Sequence, residues 1–368
     1  MSDDGITYAS AGVDTHAGDR AVELMKEAVG KTHGPEVMEG VGAFAGLFDA
    51  SALKNYRRPL LASSTDGVGT KIVIARAMDI HDTIGQDLVA MVVDDIVVCG
   101  AKPLVMTDYI ACGKVVPERI ADIVRGIAEG CLMADTALVG GETAEHPGVM
   151  APDDYDVAGA AIGVVEADAL LGPEKVVVGD VVVAMASSGL HSNGYSLVRS
   201  VMAHAAWTLD LHLSDLGRTV GEELLEPTRI YAKLCVDLAA TVPGLHAFSH
   251  VTGGGLAANL ARVIPAGLSA TVARDAWQLP AIFNAIAGAG KVSMHDLEST
   301  LNMGVGMVAV VSASDADAVM AASAAAGVPA WELGRIAADD GRAVSADVVR
   351  GAKGVQGGAV YLSGAYRA

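Results

Sequence analysis

The chain has 368 residues, 52% of them hydrophobic, enough for two cores rather than one. Its formal charge of −19, from 44 acidic against 25 basic side chains, argues against nucleic acid as a main partner, because neutralising a phosphate backbone needs a basic footprint. Cys99, Cys112, Cys131 and Cys235 are dispersed without a Cys-x-x-Cys pair, which excludes a zinc or disulfide framework and predicts a reduced, cytoplasmic protein.

The polar start Met1-Ser2-Asp3-Asp4-Gly5 is neither a secretory signal nor a transit peptide, and apolar runs such as 157–165 are too short to span a bilayer. The segment 8–46 is turn-rich around one helix predicted over 18–29. Strand 59–63, helix 83–99, strand 104–111, a helix opened by Pro117 and ending near 133, strand 136–139 and strand 155–165 then alternate. The Gly172-Pro173 and Gly179-Asp180 turns predict a boundary near residue 170, giving domains 1–170 and 171–368. The second half reads as strand 180–186, a helix to about 206 after the turn 187–195, strand 268–272, helix 280–289, strand 306–311, helix 315–326 and a strand near Trp331. The segment 351–358 reads as a flexible insert before a last strand, 359–362. The fold class is α/β (α+β) with two domains.

Two glycine-rich turns carry carboxylates: Thr65-Asp66-Gly67-Val68-Gly69-Thr70-Lys71 and Gly140-Gly141-Glu142-Thr143-Ala144-Glu145. Each follows a short apolar run, so each is expected where a buried strand ends and the chain turns at glycine. Main-chain N–H groups there suit a polyphosphate, and the acids suit the Mg²⁺ that neutralises it. In the helix 83–99, Leu88, Val92, Asp95 and Cys99 share a stripe, so Asp95 is expected to interrupt an apolar face while Asp94 points away. Such a carboxylate is either ion-paired or bound to a cation. With Asp66 and Glu142 it makes a three-oxygen set for Mg²⁺.

His191 stands before a helix, where Ser192 and Asn193 either cap the helix or meet a phosphate. Thr252-Gly253-Gly254-Gly255 offers a second such loop, on weak grounds alone. Gly30-Lys31-Thr32 fails as a Walker A loop because Met25 stands where its first glycine belongs. Gly40-Val41-Gly42-Ala43-Phe44-Ala45-Gly46 is one residue too long for a dinucleotide fingerprint and reads as a flexible lid. His246 and His250 lack the Glu of a zincin, and a structural or substrate-facing role outweighs zinc.

With Tyr8-Ala9-Ser10-Ala11-Gly12-Val13-Asp14, His81-Asp82-Thr83-Ile84-Gly85 and His191-Ser192-Asn193-Gly194-Tyr195-Ser196-Leu197, these motifs make the chain resemble the phosphoribosylformylglycinamidine cyclo-ligases of purine synthesis, nearly end to end. The resemblance implies a homodimer whose N-terminal mixed sheets pair across subunits, ATP as co-substrate with Mg²⁺, and closure of formylglycinamidine ribonucleotide to aminoimidazole ribonucleotide with release of ADP and phosphate. It implies Asp66, Asp95 and Glu142 at Mg·ATP, the amides of Gly67, Val68, Gly69 and Thr70 with Lys71 and Gly141 at ATP, and Lys26, or its neighbour Lys31, as the ATP-proximal lysine. His191 would steady charge on the reacting oxygen or phosphoryl group, and Ser192, Asn193, Gly253, Gly254 and Gly255 would hold the ribose phosphate. His146 stands where the family often has methionine, and 338–358 is longer than expected. Sibling phosphotransferases fit less well: the first cysteine is as late as Cys99 and the chain ends Ala365-Tyr366-Arg367-Ala368, without a cysteine.

Overall fold

The computed structural model describes residues 12, 14–38, 44–352 and 355–367. Most of the Tyr8–Asp14 motif and the Gly40–Ala43 part of the expected lid lie outside the described residues.

Helix α1 (Thr15–Lys31) starts where the Asp14 carboxylate accepts from the His16 and Ala17 N–H groups, a side-chain N-cap. Strand β1 (Pro59–Gly67) leads to the short helix α2 (Ile72–Met78), and α3 (Thr83–Val97), β2 (Lys102–Cys112), α4 (Pro117–Met133), β3 (Ala137–Glu145) and β4 (Tyr155–Glu166) follow. These strands form a mixed sheet in the order β1-β4-β2-β3, parallel only between β2 and β3, where α4 supplies the crossover. The first glycine segment is strand as far as Gly67 and then turns, as expected, with Gly69 at a left-handed φ of 72° opening a 3-10 turn over Gly69–Lys71, whereas the second is strand throughout. Pairing with β4 carries β1 on to Gly67, and pairing with β2 carries β3 on to Glu145.

The C-terminal half contains β5 (Val181–Ala186), α5 (Tyr195–His204), the two-residue strands β6 (His212–Leu213) and β7 (Arg218–Thr219), α6 (Val220–Leu224), α7 (Ala232–Thr241), β8 (Leu245–His250) and α8 (Gly255–Leu260). Then come β9 (Leu268–Ala273), α9 (Ala281–Gly290), α10 (Met294–Glu298), β10 (Val305–Val311), α11 (Ala316–Ala325), β11 (Ala330–Ala338), β12 (Val348–Ala352) and β13 (Val355–Ser363). Seven of these strands make one sheet, β12-β13-β9-β11-β5-β10-β8. Instead of a flexible insert, β12 and β13 form an antiparallel hairpin, with β13 parallel to β9. That hairpin sits at the sheet edge opposite β8 and packs on α8.

Helix α3 joins the two halves. It packs on β1 and β4 and on α4, and it also touches α7 and β8 of the second sheet. Close approach to α4 rests on glycine: a Cβ on Gly126 would fall 1.7 Å from the Asp82 carbonyl oxygen, and one on Gly85 2.3 Å from the Ile127 nitrogen. Enclosed from both sides, α3 has a single exposed residue, Asp95.

Candidate active site

Asp94 and Asp95 exchange the places expected of them. A helix apolar all round has no solvent stripe to interrupt, so the apolar spacing did not identify the buried carboxylate. Asp94 is fully buried and accepts from the Tyr231 N–H at 3.0 Å, while Asp95 opens to the space between the two sheets. Burial pushes the Asp94 carboxyl up to about 7, against the opposing pull of His250 and the Tyr231 N–H.

His250, at the end of β8, donates from Nδ1 to Asp95 Oδ1 at 2.9 Å and is itself buried. Burial pulls its pKa down, yet the Asp95 hydrogen bond and the charges of Asp94, Asp95 and Asp66 outweigh it and hold the imidazole above the ordinary histidine value. Its Nε2 is buried and has no partner among the described residues. Asp66, Asp94, Asp95 and His250 therefore form one electrostatic cluster bridging the two halves. A cavity beside it is lined by Asp95, Ser249, His250, Asn259 and Arg262.

His191 is buried, with a left-handed φ of 61° that a non-glycine residue adopts only when its surroundings enforce it. The Ser188 N–H donates to its Nε2 at 3.2 Å, so the ring proton resides on Nδ1, which is buried and has no partner among the described residues. Burial, reinforced by the charges of His250, Lys71 and Arg229, keeps the ring's pKa well below the usual histidine value. The result is a neutral, fixed N–H donor. Gly306 makes room for it: a Cβ there would lie 2.5 Å from His191 Cε1 and 2.1 Å from the Tyr231 hydroxyl.

Several expected ligands are engaged inside the protein. Lys71 does not reach a cleft: its ammonium is fully buried, pairs with Asp87 at 2.8 Å and donates to the backbone carbonyls of Glu226 and His191. Thr228 also donates to Asp87 through its N–H, so this pair bolts the halves together. The Ser192 hydroxyl donates to the Val68 carbonyl at 2.7 Å, and Asn193 Oδ1 accepts from the Gly253 N–H at 2.9 Å. The Gly255 N–H bonds to the Thr252 carbonyl, so Gly254 alone of the three glycines keeps its N–H uncommitted to those partners. Helix α5 begins at Tyr195 after a left-handed Gly194 and has no side-chain cap, so its first-turn N–H groups are not capped by Ser192 or Asn193.

The expected metal trio is not assembled within one chain. Asp66 lies on β1 and Glu142 on β3, the opposite edges of the four-stranded sheet, three strand spacings or roughly 14 Å apart. Among the described residues no three His, Cys, Asp or Glu side chains come together as a ligand set. Asp66, whose Oδ1 accepts from the Gly67 N–H, and Asp95 are exposed hard-oxygen donors that fit Mg²⁺ with phosphate and water oxygens. Lys26 and Lys31 lie exposed on α1, paired with Glu23 and Glu27.

Sequence reasoning turned Asp94 away from the apolar face, passed over Arg262 and did not find the pairing of His250 with Asp95. The four-residue spacing of His246 and His250 was visible, but only the fold separates them: His246 meets Asp180 at 2.7 Å and His250 meets Asp95.

Residues 49–165 match the family model described as AIR synthase related protein, N-terminal domain, and residues 177–347 match its C-terminal counterpart. A phosphoribosylformylglycinamidine cyclo-ligase of Lachnospira eligens is 47% identical over 333 residues, 90% of this chain and 98% of that protein. One from an Anaeromyxobacter species is 50% identical over 346 residues, covering 94% and 99%. Among solved structures, thiamine-monophosphate kinase from Stenotrophomonas maltophilia superposes with a TM-score of 0.66 at 19% identity, covering 94% of this chain and 97% of that one. A hydrogenase maturation protein in complex with ATP gives 0.62 at 16%, covering 89% of each. These structural likenesses concern the fold.

Proposed function

The chain belongs to the phosphoribosylformylglycinamidine cyclo-ligase family, and from that premise we propose how its residues divide the work of the ATP-dependent ring closure. The reaction converts formylglycinamidine ribonucleotide to aminoimidazole ribonucleotide and releases ADP and phosphate. An amide oxygen is a poor leaving group; ATP supplies a phosphoryl group that makes it a good one, with Mg²⁺ offsetting the gathered charge.

Asp66 and Asp95 hold the metal-bound phosphates, and His250 fixes the Asp95 carboxylate through the 2.9 Å bond. His191 offers its Nδ1–H to the oxygen on which negative charge develops, as a neutral donor that needs no proton uptake. The first turn of α5 and the Gly254 amide receive the substrate's ribose phosphate. The buried Lys71–Asp87 pair positions His191 through its carbonyl and does not touch ATP. Lys26 or Lys31 on α1 meets the nucleotide from the β3 side.

We assign Glu142 to the site completed by a second copy of the chain. Among the described residues both edges of the N-terminal sheet, β1 and β3, are unpaired, and the sheet face away from the helices exposes Leu61, Tyr109 and Ile162. A homodimer closing sheet on sheet covers that face and brings a β3 edge to a β1 edge. Four free cysteines suit the reducing cytoplasm, and no helix among the described residues is long and apolar enough to cross a membrane.

The observation that carries this reading is His250, bonded through Nδ1 to Asp95 and under the charge of Asp66, with its Nε2 and the Nδ1 of His191 both buried and without a partner among the described residues. Asp95→Asn is expected to keep the wild-type melting temperature and lose Mg·ATP-dependent turnover by at least about a hundredfold. Wild-type rates in that variant would remove Asp95 from the site.

A further inference from the structure

A second cavity of about 240 Å³ lies on the helix side of the N-terminal sheet, between α1, α4 and β3. Its walls are apolar: Ala21, Val22 and Met25 of α1, Val124 of α4, and Leu138 and Val139 of β3. Two acidic residues also line it: Glu142 of β3, which is exposed, and Asp108, which is buried. Asp108, on β2, is 9% exposed, and among the described residues no other group bonds to its side chain or forms an ion pair with it. Burial pushes this carboxyl up to about 7, as expected of an acid without a cation beside it. An isolated buried carboxyl costs several kcal/mol, so its presence calls for a partner that arrives from outside.

The neighbouring strand is shaped around this acid. Gly141 stands opposite Asp108 in the β2–β3 register, and a Cβ on it would come 2.3 Å from Asp108 Oδ1. The cavity is smaller than the roughly 300–1,000 Å³ of sites that enclose whole drug-sized ligands, which suits one flat bicyclic ring with the rest of the molecule outside. Gly140, Gly141, Glu142 and Thr143 of β3 also line it, and Lys26 follows Met25 on α1.

We propose that this cavity takes the purine base of ATP and that Asp108 accepts a hydrogen bond from the 6-amino group, making it the residue that selects adenine over 6-oxopurines. The inference rests on the ATP reading above and adds to it the residue that reads the base. Against the ionised carboxylate, a 6-oxo group would place acceptor against acceptor and leave a buried polar pair unsatisfied, so the preference for adenine is greatest above the titration of Asp108.

The test measures kcat/KM with ATP, inosine triphosphate and the triphosphate of unsubstituted purine riboside, in wild type, Asp108→Asn and Asp108→Leu. Wild type is expected to prefer ATP over both analogues by at least about tenfold. Asp108→Asn, whose amide donates as well as accepts, should narrow the ATP-to-inosine ratio at least about fivefold, and Asp108→Leu should bring ATP and the unsubstituted purine within about twofold. Both variants remove a buried acid, and melting curves recorded alongside check that they fold. Wild-type discrimination retained in folded Asp108→Asn and Asp108→Leu would overturn the inference while leaving ATP use intact. Absence of ADP release from wild type with every triphosphate would overturn it together with the ATP reading.

Discussion

At the residue scale, the two carboxylates at positions 94 and 95 have opposite fates and titrate differently. Asp94 is neutral in acid and is forced to ionise inside the protein as the pH rises. A group whose folded pKa is raised adds its full stability below the unfolded value near 4 and loses it as the pH climbs through the folded value of about 7. Asp94→Asn, which keeps an acceptor for the Tyr231 N–H but carries no charge, should therefore melt higher than wild type by a margin that grows between about pH 4 and pH 7 and then levels off. Melting curves at several pH values check this, and a pH-independent margin would count against the buried-acid reading. The sequence made the Asp94-Asp95 pair visible but not its orientation, because the apolar spacing of α3 is equally good on every face. Lys71 shows the same limit: its place after two glycines looked like a phosphate contact, and only the fold reveals Asp87 sixteen residues on as its partner.

At the element scale, helix and strand order was legible because the apolar periodicity and turn residues are strong. Helix α4 over Pro117–Met133 keeps its expected bounds, with Pro117 at its first turn. Lengths of β1 and β3 were not legible, since each is extended by ladder partners, Ala158–Glu166 and Val105–Cys112, that a local pattern does not contain. The β12–β13 hairpin was hidden in the same way: its glycines read as a flexible insert until pairing with β9 organised them. The α3–α4 crossing is set by backbone contact at Gly126, where no side-chain rearrangement can make room. Gly126→Ala should cost about 1–3 kcal/mol in chemical denaturation, against near-neutral behaviour for Gly18→Ala on α1, where a Cβ meets nothing within 4 Å. Equal stabilities for the two variants would show that the helices can separate at little cost.

At the scale of the whole molecule, a protein of charge −19 that handles phosphorylated substrates needs cation, amides and neutral donors gathered at one place. The two sheets meet around α3 to supply His191, His250, Asp66 and Asp95, whereas Glu142 and the α1 lysines stand on the far side of the N-terminal sheet. Motifs 65–71, 140–145 and 191–197 announced the family from sequence alone; that the first two belong to opposite edges of one sheet, and the third to the start of α5 in the other half, did not follow from their order. The central claim is that an ATP site takes Asp66 and Asp95 from one chain and Glu142 from another. It is tested most directly by co-expressing Asp95→Asn and Glu142→Gln chains under different tags, purifying the mixed dimer and assaying aminoimidazole and ADP together. Each variant alone should be inactive, and the mixed dimer, with one intact site of two, should recover about half of wild-type activity at one ADP per aminoimidazole. A mixed dimer as inactive as its parents would contradict the shared site and return Glu142 to the chain that carries Asp95.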